Sequence, residues 1–177
     1  MLKISRQQWQ APLALTFISG LLFVFQDSLL STWQFDRDAI EQGQYWRLIS
    51  GNLFHTNGWH LTFNLLGLVL LVQLFGQKIS SLHFCLFSLI NAFLVGLFLF
   101  LFSPDIELYV GLSGYLHGLF VLGCLLEIAS GQRSSYLLLA GIALKIGWET
   151  LFGASEQMTV LINAQVATDA HLFGAIG

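Results

Sequence analysis

Apolar runs long enough to cross a bilayer follow one another along this chain, and they limit its fold more than any other feature. A helical span needs about 20 apolar residues. The first run is Ala11 to Leu30, preceded by Lys3 and Arg6, and a polar stretch from Gln34 to Arg47 follows it. The second run goes from Trp59 to Phe75 and closes on Gln77-Lys78, and the third covers 82–102 before Ser103-Pro104-Asp105. The fourth and fifth cover 112–128 and 136–152, separated by Ser130-Gly131-Gln132-Arg133. After a polar loop from Ser155 to Asp169, a sixth apolar segment starts at Ala170, and the sequence stops at Gly177. That last helix is therefore read as truncated. The expected architecture is an all-α bundle of six transmembrane helices, forming a single domain over 1–177.

Composition excludes the other classes. Only 10 % of residues are charged and 55 % are hydrophobic, with a mean hydropathy of +0.72, whereas a soluble domain carries roughly 25 % charged residues. An aromatic content of 14 % excludes a disordered chain. A net charge of −3 leaves no basic face for nucleic acid. Cys85 and Cys124 both lie in apolar runs and read as small core residues, not as a disulfide framework. The first run is too long for a signal peptide and lacks a small-residue cleavage site.

Six spans fix the orientation. With the N-terminus cytoplasmic, Lys3, Arg6, Lys78 and Arg133 fall inside, while Arg37 and Arg47 fall outside. This distribution obeys the positive-inside rule. The 16 residues from Ser113 to Ile128 make roughly 24 Å of helix, against a hydrocarbon core of about 30 Å. If Ile128 reaches the inner interface, the helix starts below the outer one. Free backbone N–H groups at such a start are tolerated only where they line a cavity.

Polar side chains inside a membrane are costly, so each is a functional candidate. Ser113 lies at the first turn of the fourth helix, within Gly111-Leu112-Ser113-Gly114. His171 lies at the outer end of the sixth, and His60 and Asn64 share one face near the outer end of the second. All four fall at one depth. A serine flanked by glycines offers an accessible hydroxyl, and a histidine can take its proton. Donors on His60 and Asn64 can stabilise a developing oxyanion. Asp169 is assigned to the loop, so the expected unit is a Ser–His dyad. Taken singly, a Gly-Leu-Ser-Gly motif is commoner as a helix-packing device, and a lone interfacial histidine as a packing residue. The joint depth and chemistry outweigh those readings.

Trp46-Arg47, His60-x-x-x-Asn64, Gly111-x-Ser113-Gly114 and Ala170-His171-x-x-Gly174 together resemble the motif set of the rhomboid intramembrane serine proteases, in order and on the matching helices. The resemblance runs from about Trp46 to the chain end. It implies a six-helix rhomboid-like bundle with Ser113 as nucleophile, His171 as base, and His60 and Asn64 as oxyanion stabilisers. Rhomboids commonly carry a tyrosine four residues after the nucleophile, stacked on the catalytic histidine; His117 stands there in this chain. The run Gly-Leu-Ser-Gly-Tyr-Leu-His-Gly is similar to the rhombosortase branch, whose bacterial members are associated with substrates bearing a C-terminal Gly-Gly sorting tail. His117, Gly111 and Gly114 are thus expected to support the site.

Lys145 and Glu149, spaced i, i+4 in the fifth run, leave two readings open. They either compensate each other inside the bundle or face a water-filled path to the substrate. His55 is assigned to holding the first loop, Glu127 to the inner interface, and His83 to no role. Trp46 and Trp59 sit at outer-interface depth. The histidines have no carboxylate or thiolate partners at ligand spacing, so no metal is expected, and no cofactor is implied. The expected function is a serine endopeptidase of a bacterial inner membrane, cutting membrane-anchored proteins within the lipid bilayer near the periplasmic face. The alternatives are an inactive rhomboid-like binding module and a small transporter. The first normally lacks the Ser or the His, and the second is expected to show paired broken helices.

Overall fold

A computed structural model describes residues 5–177; Lys3, one of the basic residues used for orientation, lies outside the described residues. Helix α1 (Arg6–Val24) starts with a capping box, in which Ser5 accepts from the Gln8 N–H and the Gln8 side chain accepts from the Ser5 N–H. The run read as one span over 11–30 is a bent pair. Its chain breaks at Phe25 and turns by 106° into α2 (Gln26–Trp33). The cause lies in Gln26-Asp27-Ser28, which a straight span would carry into hydrocarbon. At the break Asp27 instead occupies the first turn of α2, where a helix N-terminus favours an anion.

The stretch read as a polar loop is built from short elements. β1 (Phe35–Asp36) leads into α3 (Arg37–Glu41) and then α4 (Arg47–Ser50), followed by a 3₁₀ turn over Gly51–Leu53. β1 pairs antiparallel with β2 (Leu108–Tyr109), with Phe35 opposite Tyr109. Two arginines tie this layer down without carboxylate partners among the described residues. Arg37 donates to the carbonyls of Leu99, Phe100, Ser103 and Ile106, satisfying orphan carbonyls where the helix over Ser81–Phe102 ends. Buried Arg47 donates to Gln44 Oε1 and to the carbonyls of Gln34 and Ser31. These bonds fix the loop above the helices that carry the polar candidates.

The long helices are α5 (Gly58–Phe75), α6 (Ser81–Phe102), α7 (Ser113–Ala129) and α8 (Ser135–Phe152). They occupy the runs read at 59–75, 82–102, 112–128 and 136–152. The loop read over Ser155 to Asp169 contains α9 (Glu156–Ile162), capped by Ser155, and α10 (Thr168–Ile176) closes the described chain. Asp169 is therefore in the first turn of α10 and not in a loop; it accepts from the Ser103 hydroxyl at 2.5 Å. Among the described residues, three helices are long and apolar enough to span a bilayer, or four if the bent pair is one span, with α7 a shorter apolar helix. The protein is a multi-pass, all-α membrane protein.

α7 is the central element, packed against α5, α6, α8 and α10. Lipid is as apolar as leucine, so such helices associate by close contact rather than by hydrophobic drive. Glycine supplies the contact. A Cβ on Gly174 would overlap the Gly114 carbonyl, and one on Gly114 would stand 2.7 Å from the Ala170 oxygen. Asn91 of α6 fastens the same crossing by donating to the Gly174 carbonyl at 2.9 Å. Two cores flank it, one around Leu68, Phe75, Tyr115 and Leu119, the other around Phe35, Val95, Leu99 and Phe173. The outer faces of α1, α5, α6 and α8 expose large apolar residues such as Phe17, Leu70, Leu89 and Leu144. Cys85 is exposed and not in the core, because it lines an open apolar pocket between α1 and α6 with Tyr115 at its base; Cys124 is buried.

Candidate active site

Gly111 shapes the approach to α7. Its φ of +128° is a conformation that side chains rarely adopt, and a Cβ there would stand 2.7 Å from His60 Nε2. The chain thus passes against the His60 ring before Ser113 begins the helix. Tyr109, buried at the end of β2, donates to the Gly111 carbonyl at 2.6 Å and holds that turn. Ser113 opens into a cavity of about 270 Å³, whose lining includes His60, Thr56, Tyr109, Gln165 and Ala167.

α10 brings His171 to the serine. Its Nε2 lies 3.0 Å from Ser113 Oγ across 58 residues of sequence, and its side chain is only 7 % exposed. Its other nitrogen, Nδ1, lies 2.8 Å from Glu149 Oε2. Ionised Glu149 accepts only, so Nδ1 carries the proton and Nε2 is free to accept from the serine hydroxyl. Lys145 donates to the same carboxylate oxygen at 2.7 Å and to His117 Nε2 at 3.1 Å. His117 in turn donates from Nδ1 to the Ser113 carbonyl at 2.7 Å. The His117 and His171 rings stack face to face, with centroids 4.1 Å apart and planes 15° apart. The Ser113 hydroxyl, His171 Nδ1–H, His117 Nδ1–H and two of the three Lys145 N–H groups each meet an acceptor.

α5 supplies the other wall. Asn57 caps the helix by accepting from the His60 N–H at 2.9 Å, and the Thr56 N–H donates to His60 Nδ1 at 3.4 Å. Thr56 is itself tied to α9 through the Ile162 carbonyl at 2.5 Å. One turn along, the Asn64 amide nitrogen is buried beside Gly111 and bonded to no group among the described residues. An unengaged donor at that place suits a charge that appears only during reaction. His55, fully buried under the site, packs edge-on against His60 at 5.1 Å. Burial, with His60 beside it, pushes its pKa down to about 3, so it remains a neutral brace in the loop.

Ser113, His171, His60, Asn64, His117, Gly111 and Gly114 thus gather around one cavity and one helix crossing. Lys145 and Glu149 are a pair, and Glu149 also reaches His171, which sequence spacing did not indicate. Thr56, Tyr109 and Asn57 were not singled out either, since loop residues lack a periodic signal. His83 is distant, bonded to Ser80 at the start of α6. Glu127 accepts from the Ser135 hydroxyl between α7 and α8. Ligand atoms of His117, Glu149 and His171 lie within 4.8 Å of one another, a grouping a metal ion accepts. The Lys145 ammonium already bonds two of those groups, so a side chain holds the cationic place.

The fold and this site define a polytopic membrane protein with a serine–histidine pair at the start of a short central helix. The chain belongs to the Rhomboid domain family, whose model matches residues 42–177. It is similar to "Putative rhomboid protease YdcA" of Bacillus subtilis (strain 168), at 24 % identity over 143 residues, covering 78 % of this chain. The match spans 66 % of that relative's length.

Proposed function

We propose that the chain is an intramembrane serine endopeptidase that cleaves membrane-anchored proteins. The observation that carries this reading is the 3.0 Å contact between Ser113 Oγ and His171 Nε2 at the edge of a cavity. Ser113 Oγ attacks the scissile carbonyl while His171 Nε2 takes its proton. The carbonyl electron pair becomes an oxyanion, to which Asn64 Nδ2 and His60 Nε2 donate. Collapse breaks the C–N bond, and His171 returns the proton to the leaving amine. Water then releases the acyl-enzyme by the same route. A helical substrate must unwind locally, since its carbonyls are engaged in the helix.

The finer reading places the protein in a bacterial inner membrane, with a cytoplasmic N-terminus and the site toward the periplasm, in keeping with Arg6, Lys78 and Arg133 on the inner side. Substrates with a C-terminal Gly-Gly sorting tail fit the rhombosortase-like run ending in His117-Gly118, and His117 stacks where the common rhomboid motif has tyrosine.

Cleavage of a membrane-anchored reporter by the purified protein in detergent tests the reading. Ser113→Ala and His171→Ala are expected to abolish cleavage while melting like the wild type. Asn64→Ala is expected to slow kcat by about 10²–10³, the usual effect of one lost oxyanion donor. Wild-type rates in either of the first two variants would overturn the assignment.

A further inference from the structure

The half-buried carboxylate of Glu149 is not used by a Ser–His dyad, yet it touches the base. Its side chain is 14 % exposed, while that of Lys145 is 45 % exposed. A carboxylate at this depth is costly unless paired. Lys145 alone would satisfy that need as an i, i+4 partner. His171 Nδ1, 2.8 Å away, is an additional contact, made across helices by α10.

We infer that Glu149 is a positioning residue that completes a Ser113–His171–Glu149 relay, and that Lys145 holds this carboxylate in place. The inference rests on the protease reading. A neutral imidazole carries its proton on either nitrogen, and only the Nδ1–H form leaves Nε2 able to accept from Ser113. An acceptor-only group at Nδ1 selects that form. During attack the serine proton moves to Nε2, the Oγ–C bond forms, and the carbonyl pair moves onto oxygen. The Nδ1 proton stays on His171, and the resulting imidazolium faces a carboxylate 2.8 Å away. Collapse then sends the Nε2 proton to the amine, and the relay returns to its starting form.

Lys145 also fixes the second histidine. Its donation to His117 Nε2 leaves Nδ1 of that ring as the donor to the Ser113 carbonyl. One ammonium therefore sets the proton arrangement on both sides of the stacked pair. The i, i+4 spacing keeps Lys145 and Glu149 on one face of α8, which serves this arrangement as well as charge pairing.

The experiment measures kcat and KM for cleavage of the same reporter by wild type, Ser113→Ala, Glu149→Gln, and the double variant Lys145→Met/Glu149→Gln, with melting curves for each. Glu149→Gln keeps the shape but offers the imidazole a donor as well as an acceptor. Its kcat is expected to fall about 10²-fold or more at nearly unchanged KM, the scale of a misplaced general base. The double variant removes both charges and is expected to stay equally slow. A purely structural ion pair makes the opposite forecast: the double variant, free of unpaired charge, would recover wild-type kcat, and that recovery overturns the inference. So does a Glu149→Gln kcat equal to wild type while Ser113→Ala is dead. Equal cleavage by wild type and Ser113→Ala overturns the protease reading instead, and the relay with it.

Discussion

His117 occupies the position at which this chain departs from the commoner rhomboid motif, and its contacts define what the departure does. The ring lies flat against His171, and no hydrogen bond joins the two rings; its nitrogens are engaged by Lys145 and by the Ser113 carbonyl. Its effect on His171 is therefore packing. Stacked rings contribute about 0.5–1.5 kcal/mol beyond area burial, and each 1.36 kcal/mol is a factor of ten in rate. His117→Ala is expected to lower kcat about tenfold through a loosened His171, and His117→Phe to keep most of the activity. A Phe variant as slow as the Ala variant would assign the effect to the hydrogen bonds instead. Grouping Ser113 with His171 and His60 was within reach of the sequence, because intramembrane polar residues are few and depth can be counted along each run. The bond from Glu149 to His171 was not. Its pairing with Lys145 already accounted for the carboxylate, and sequence spacing carries no information on which side chain of another helix stands opposite.

At the scale of elements, the crossing of α7 over α10 sets the distance between serine and histidine. Gly114 and Gly174 let the two backbones meet, so a methyl group at Gly174 must push α10 outward and carry His171 with it. Gly174→Ala is expected to cost about 1–3 kcal/mol of stability, the range for overpacking, and to lose activity. Gly147→Ala in α8 is the control: nothing among the described residues lies within 4 Å of its Cβ position, and alanine is the better helix former. It is expected to melt at or above the wild-type temperature. Equal melting of the two variants in detergent would show that the crossing tolerates separation. The apolar runs marked α5 to α8 closely, since hydrophobicity over some 20 residues is an unmistakable signal. The short elements α3, α4 and α9 gave none, because four to seven residues form less than two turns of periodicity. The bend at Phe25 was written in Gln26-Asp27-Ser28, three polar residues that a length count absorbed into the first run.

At the scale of the whole molecule, an apolar outer surface encloses a polar centre. Large exposed side chains on α1, α5, α6 and α8 meet lipid, while Ser113, His171, Asn64 and Glu149 converge inside. Two arginines stitched to carbonyls keep the loop layer over that centre without presenting a competing carboxylate. The proposed proteolysis depends on one chemical property, a Ser113 hydroxyl made nucleophilic by His171. Reaction of the detergent-solubilised protein with a fluorophosphonate, followed by mass spectrometry of the peptides, measures it directly. A covalent adduct on Ser113 is expected, absent in Ser113→Ala and strongly reduced in His171→Ala. An unlabelled Ser113 in folded wild-type protein, or equal labelling of the His171→Ala variant, would contradict it.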